Sequence, residues 1–284
     1  MKSNELKLLC ADEYQLAATS FAPLTALKGA ILMAPATGIK RQFYANFATY
    51  LATKGYGVIT FDNRGIGESL HVPISECDVT LQCWGEKDLP AAFEQLKLSF
   101  PNTSYHLIGH SAGGQLVGLM PNANEISSMF NFACSSGNLS NMALAHKFKA
   151  HFFMNAFIPM SNALFGHTKS QWVGMGEPLP RYVAKQWQEW CNGSSYVKTA
   201  FGKTIHNHFY NELAMPSMWV NAYDDFIATN KNTDDMLSIF PKLPVKRLTL
   251  AAHEHNLKEI GHMKFFSKRS KVLWTLALEW LAEH

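Results

Sequence analysis

Charge is scarce in this chain: Asp, Glu, Lys and Arg make up 17% of its 284 residues, and 25 basic against 22 acidic side chains leave a formal charge of +3. A balance so near neutrality, with no Lys/Arg block, gives nucleic acid no electrostatic footprint to hold. Cysteine is scarce as well. Cys10, Cys77, Cys83, Cys134 and Cys191 are odd in number and scattered, with no Cys-x-x-Cys pair. That pattern argues against a disulfide framework or zinc site and for buried, reduced thiols. No apolar run is long enough to span a bilayer. Residues 1–9 alternate polar and apolar side chains, without the apolar stretch and small-residue cleavage site of a secretory leader. The expectation is a cytoplasmic chain with no membrane span; whether it forms a homo-oligomer stays open.

Hydrophobic residues make up 47% of the chain, which excludes disorder, and the length suits one large α/β domain or two small ones. Short apolar runs alternate with amphipathic stretches, the rhythm of a mainly parallel sheet flanked by helices. Strands are predicted at 6–10, 16–21, 30–34, 57–61, 105–108, 129–134, 218–221 and 247–250, the first two as a hairpin turned at Asp12-Glu13. Helices are predicted at 43–54, 87–97, 112–120 and 270–282, with Pro90 in the first turn of its helix. The rhythm breaks between 137 and 213, which holds 13 of the 35 aromatic residues, Phe148, Phe152, Phe153, Phe157, Trp172, Trp187 and Trp190 among them. This reads as an inserted helical lid between core segments 1–136 and 214–284, with most of those aromatics filling the insertion's own core.

One motif carries chemistry. In Tyr105-His106-Leu107-Ile108-Gly109-His110-Ser111-Ala112-Gly113, an apolar strand runs into Gly-x-Ser-x-Gly and then into a helix. A serine at so sharp a turn needs glycine two residues away on either side, because a side chain there would strike the neighbouring strand or helix. The turn marks Ser111 as a nucleophile, with Ala112 N–H as one donor to a developing oxyanion. Nucleophilic serine needs a base, and in this strand-turn-helix setting the order is Ser, acid, His. Asp224 and Asp225 follow the 218–221 strand, and either can orient an imidazole. His262 follows the last strand beside Gly261 and precedes the closing helix. His253 and His255 are its rivals, while His106 and His110 flank the nucleophile turn ahead of the acid. His206-x-His208 and His253-x-His255 lack the acidic cluster of a metal site, so neither metal nor cofactor is expected.

Together with Met33-Ala34-Pro35-Ala36-Thr37-Gly38, Phe61-Asp62-Asn63-Arg64-Gly65-Ile66-Gly67-Glu68-Ser69 and Ile260-Gly261-His262-Met263-Lys264-Phe265-Phe266, the Ser111 turn resembles the α/β-hydrolase superfamily. Within it the chain is similar to predicted hydrolases of the serine aminopeptidase and monoacylglycerol lipase group, over nearly its whole length and least across the insertion. The resemblance implies an α/β-hydrolase fold with an eight-stranded, mostly parallel sheet. It favours Asp225 as the acid, since Asp225-Phe226-Ile227 matches the segment in which the acid precedes an apolar pair. It also makes Thr37 N–H the partner of Ala112 in the oxyanion hole, although Pro35 and Ala36 stand where relatives carry His and Gly. Asp62 and Arg64 are then loop braces. The activity implied is hydrolysis of an ester or thioester of an apolar acyl group, a small-molecule substrate. Acyl transfer, amide or peptide cleavage, and a binding module with an idle triad are the alternatives.

Overall fold

The computed structural model describes residues 1–284. The eight apolar runs become eight strands of one sheet. β1 (Lys2–Leu9) and β2 (Gln15–Ala22) pair antiparallel, and Glu13 turns between them at φ 63°. β3 (Gly29–Ala34), β4 (Tyr56–Phe61), β5 (Tyr105–His110) and β6 (Ser128–Phe132) follow. β7 (His167–Thr168) and β8 (Leu179–Pro180) form a separate two-residue ribbon, and β9 (Ser217–Ala222) and β10 (Val245–Leu250) complete the main sheet. Its order is β1-β2-β4-β3-β5-β6-β9-β10, and every pairing from β4 to β10 is parallel.

Parallel strands are covered on both faces, so they are apolar throughout rather than alternating. Every residue of β3, β4 and β6 is accordingly buried. The pleat still divides them: Leu32, Ile59 and Leu107 face one core, while Ile31, Val58 and Ile108 face the other. The helices, in chain order, are α1 (Ala45–Thr53), α2 (Leu81–Cys83), α3 (Leu89–Ser99), α4 (Ala112–Gln115), α5 (Leu144–Phe152), α6 (Ile158–Phe165), α7 (Arg181–Asn192), α8 (Asn230–Leu237) and α9 (Trp274–Glu283). α1 and α9 close one face through Phe47, Leu51, Trp274 and Trp280; α3 closes the other through Leu89, Phe93 and Leu96. No helix is long and apolar enough to cross a membrane.

Two local differences from the sequence reading have physical causes. The helix expected over 112–120 is α4 followed by a 3₁₀ turn at Val117–Leu119. Gly113, Gly114 and Gly118 lower its helix propensity, and Gly118 lies against the Tyr210 ring too closely for a Cβ. Pro90 does occupy the first turn of α3, but the chain is already helical before it, through α2 and a π turn at Trp84–Asp88. A proline strips one backbone donor, and the wider turn accommodates the loss. The same arrangement recurs where a π turn at Phe153–Phe157 precedes Pro159 in α6.

Residues 137–213, between β6 and β9, carry α5, α6, the β7–β8 ribbon and α7. This insertion touches the sheet's carboxyl edge: Glu177 N–H donates to Gly38 O at 2.8 Å, and Leu179 packs on Gly38. Trp190 and Phe153 are buried in it, as expected of core aromatics, but Phe148, Phe152 and Trp172 stand exposed.

Candidate active site

The chain turns from β5 into α4 at Ser111 with φ 48° and ψ −115°, a backbone conformation that costs a non-glycine residue about 1–3 kcal/mol. The surroundings enforce it. Ser111 N–H donates to Phe132 O on the neighbouring strand at 3.0 Å. A Cβ at Gly109 would stand 2.6 Å from Asn131 Oδ1 and from the Gly114 backbone, and one at Gly113 would overlap the Ala34 carbonyl. Gly109 lets α4 close on β5, and Gly113 lets it close on the end of β3.

Three predicted side chains meet there. His262 Nε2 lies 3.0 Å from Ser111 Oγ, and His262 Nδ1 lies 2.8 Å from Asp225 Oδ2. The Asp225 side chain is fully buried. Burial pushes its pKa up, but His262 as a nearby charge and hydrogen-bond donor, together with the backbone N–H groups of Ala228 and Ile227, outweighs burial and holds it below the usual aspartate value. Those two amides donate to Oδ1 at 2.9 and 2.8 Å, leaving Oδ2 for the imidazole. The anionic carboxylate places the ring proton on Nδ1, so Nε2 is free to accept from the Ser111 hydroxyl.

Asp224, the open alternative, does different work. Its carboxylate accepts from Ile260 N–H at 2.8 Å and from Gly261 N–H at 2.9 Å, pinning the chain just before His262. Gly261 turns there at φ 52°, with nothing near its Cα on the open side.

In the sequence His110 is only a histidine flanking the nucleophile turn, out of order for the base. The structure buries it completely between three parts of the site. Its Nε2 sits 3.0 Å from the carbonyl oxygen of His262, which can only accept, so the proton is on Nε2. Its Nδ1 therefore accepts from the Tyr44 hydroxyl at 2.8 Å, and that hydroxyl accepts from Ala36 N–H at 2.9 Å. Burial first, and then the neighbouring His262 charge, pull the His110 pKa down to about 3, so this imidazole is a neutral strut. No motif announces the pairing, because Tyr44 and His110 meet only through the fold.

Thr37 and Ala112 also reach this edge, after β3 and β5. Neither amide N–H donates to an acceptor within the protein. Tyr44 holds the neighbouring Ala36 N–H, and Gly38 turns the loop at φ 70°. Asp62 and Arg64 brace loops as expected. Asp62 accepts from Arg41 Nη1 at 2.6 Å, and Arg64 Nε donates to Asp88 at 2.5 Å. Of the paired histidines, His208 stacks on Phe201 at 3.9 Å, and His253 and His255 share a 3₁₀ turn, Ala252–His255. No three His, Cys, Asp or Glu side chains gather as a metal site. Surface cavities of about 500 and 270 Å³ open around Trp190 and around His208, and neither is lined by a residue of this cluster.

The strand order, the strained serine between β5 and α4, and the site at the carboxyl ends of β3, β5, β9 and β10 define an α/β-hydrolase. The profile of the family described as serine aminopeptidase, S33 matches residues 25–186, more than half of the chain, and the chain belongs to that family. The matched stretch includes the Ser111 turn and ends before Asp225 and His262. Solved structures agree in fold. An esterase from Pyrococcus furiosus superposes with a TM-score of 0.64 at 14% identity, covering 99% of this chain and 90% of that one. A thermophilic esterase from Thermogutta terrifontis, with malate bound, gives 0.60 at 14% identity over 99% and 98% of the two chains. An esterase from Exiguobacterium antarcticum gives 0.63 at 14% identity over 98% and 100%. Among curated proteins nothing matches the chain.

Proposed function

We propose that the chain is a serine hydrolase that cleaves carboxylic esters or thioesters of apolar acyl groups through an acyl-enzyme on Ser111. The observation that carries this reading is the unbroken chain Ser111 Oγ, His262, Asp225 at 3.0 and 2.8 Å, ending on a buried carboxylate. In the first half-reaction Ser111 Oγ attacks the carbonyl carbon while His262 Nε2 takes its proton. Asp225 holds the imidazole and balances the imidazolium charge. The Thr37 and Ala112 amides, unclaimed by the protein, receive the oxyanion. Collapse of the tetrahedral intermediate expels the alcohol or thiol, which leaves with the proton from His262. Water then repeats the sequence and frees the acid.

In this reading residues 137–213 act as a lid over a core of 1–136 and 214–284. Its placement supports the role, since Glu177 and Leu179 sit directly on the Gly38 end of the oxyanion loop. An aromatic-rich cover favours apolar acyl chains.

A panel of p-nitrophenyl esters from acetate to decanoate, run beside aminoacyl p-nitroanilides, tests the substrate class. The expected result is a kcat/KM that rises beyond acetate and little turnover of the anilides. Activity that peaks on acetate and falls steadily with chain length contradicts the apolar preference, and faster turnover of the anilides moves the chain to the peptidases.

A further inference from the structure

An amphipathic helix on the surface of a monomer turns its apolar face inward. α5 does not. None of its residues is buried, and Leu144, Phe148 and Phe152, four apart on one face, point into water. Only Lys147 and Ala150 are partly covered, Ala150 against the core, and His146, itself exposed, stacks on Phe226 at 4.5 Å. Past the π turn, Met160 and Leu164 of α6 and then Trp172 are exposed as well, and these six residues are each between 57% and 72% exposed. Together they present on the order of 700 Å² of apolar surface, above what a monomer ordinarily leaves uncovered.

Charge on this segment has one sign. Between Glu125 and Glu177 there is no Asp or Glu, only Lys147, Lys149 and Lys169. The Lys169 ammonium lies 4.1 Å from the centre of the Phe165 ring and 4.4 Å from that of Trp172, a cation carried at the tip of an apolar cluster.

We propose that this outer face of the insertion docks on the surface of a lipid bilayer with anionic headgroups. Each apolar side chain stands more than half exposed on or beside a surface helix, which suits a fluid surface into which each can sink. The lysines beside them then meet lipid phosphates. A second copy of the chain fits less well, because a two-fold contact through this face would set its lysines against their own counterparts, and the segment itself carries no carboxylate to pair them. The docking does not depend on the chemistry proposed for Ser111.

Sedimentation of the full-length protein with sucrose-loaded vesicles tests it, using phosphatidylcholine alone and phosphatidylcholine with one-third phosphatidylglycerol. The wild type is expected to pellet with the anionic vesicles at low salt and to be released as salt rises. Phe148→Ser with Phe152→Ser should weaken partitioning at least about tenfold, and Lys147→Glu with Lys149→Glu about tenfold on anionic vesicles alone. All four residues lie on a helix with no buried position, so the thermal melts of both variants should match the wild type. Ser111→Ala should bind as the wild type does, whether or not the ester panel succeeds. A wild type that stays in the supernatant with both vesicles overturns the proposal. So does undiminished binding by the double-serine variant, or light scattering that shows a dimer which that variant splits without any vesicle binding.

Discussion

Asp224→Asn and Asp225→Asn make the same exchange of one carboxylate oxygen for an amide NH₂ at adjacent residues, yet the geometry predicts very different losses. At Asp225, Oδ1 accepts from Ile227 N–H and Ala228 N–H, so an asparagine must place its oxygen there and turn its amide NH₂ toward His262. That NH₂ donates to Nδ1 and drives the ring proton onto Nε2, facing Ser111, where it blocks proton transfer. Loss of the correct tautomer costs about 10⁴-fold in kcat in a serine triad. At Asp224 an asparagine keeps one of the two bonds, to Ile260 N–H or Gly261 N–H, and sets a donor against the other. The positioning lost is about 1–2 kcal/mol, roughly a 5- to 30-fold fall in kcat with KM unchanged. Steady-state kinetics on one ester, with the rate of fluorophosphonate labelling as a second readout, separates the two. A loss at Asp224 equal to that at Asp225, or an Asp225→Asn enzyme within tenfold of wild type, refutes the assignment.

Other outcomes follow from the same site. His110 titrates near 6.5 when unfolded but at about 3 when folded, so between those values the unfolded state binds the extra proton and acid destabilises the native state. Relative to His110→Asn, wild-type stability in urea should therefore fall by up to about 1.4 kcal/mol for each pH unit from 6.5 toward 3. Parallel pH profiles for the two proteins would show that His110 is not held neutral. Gly113→Ala should lose at least about 2 kcal/mol, since its Cβ meets the Ala34 backbone rather than a movable side chain. A Gly113→Ala protein with wild-type stability and labelling rate would remove the packing explanation for the Gly-x-Ser-x-Gly turn.

The middle of the sheet was legible because buried parallel strands such as β3, β4 and β6 write themselves as apolar runs, and the strands at its edges by their shorter apolar stretches; all eight fell within a few residues of their observed bounds. The nucleophile turn was legible for a related reason, since its glycines answer a local steric demand. What escaped depends on groups far apart in sequence. Nothing near Tyr44 indicates that its hydroxyl bridges Ala36 and His110, and local sequence does not separate exposed Asp224 from buried Asp225, a choice that only the family resemblance favoured. The π turns before Pro90 and Pro159 escaped because periodicity does not register one extra residue in a helix. The general rule that apolar periodicity means packing placed Phe148, Phe152 and Trp172 in the insertion's core, and their exposure is the departure on which the lipid-docking proposal stands.

The central claim is that Ser111 is an activated nucleophile. Intact-mass analysis after incubation with a fluorophosphonate, run on wild type and on Ser111→Ala, tests it most directly. The account predicts one adduct on the wild type and none on the variant. An unmodified wild type, or an adduct that persists when Ser111 is alanine, would contradict it.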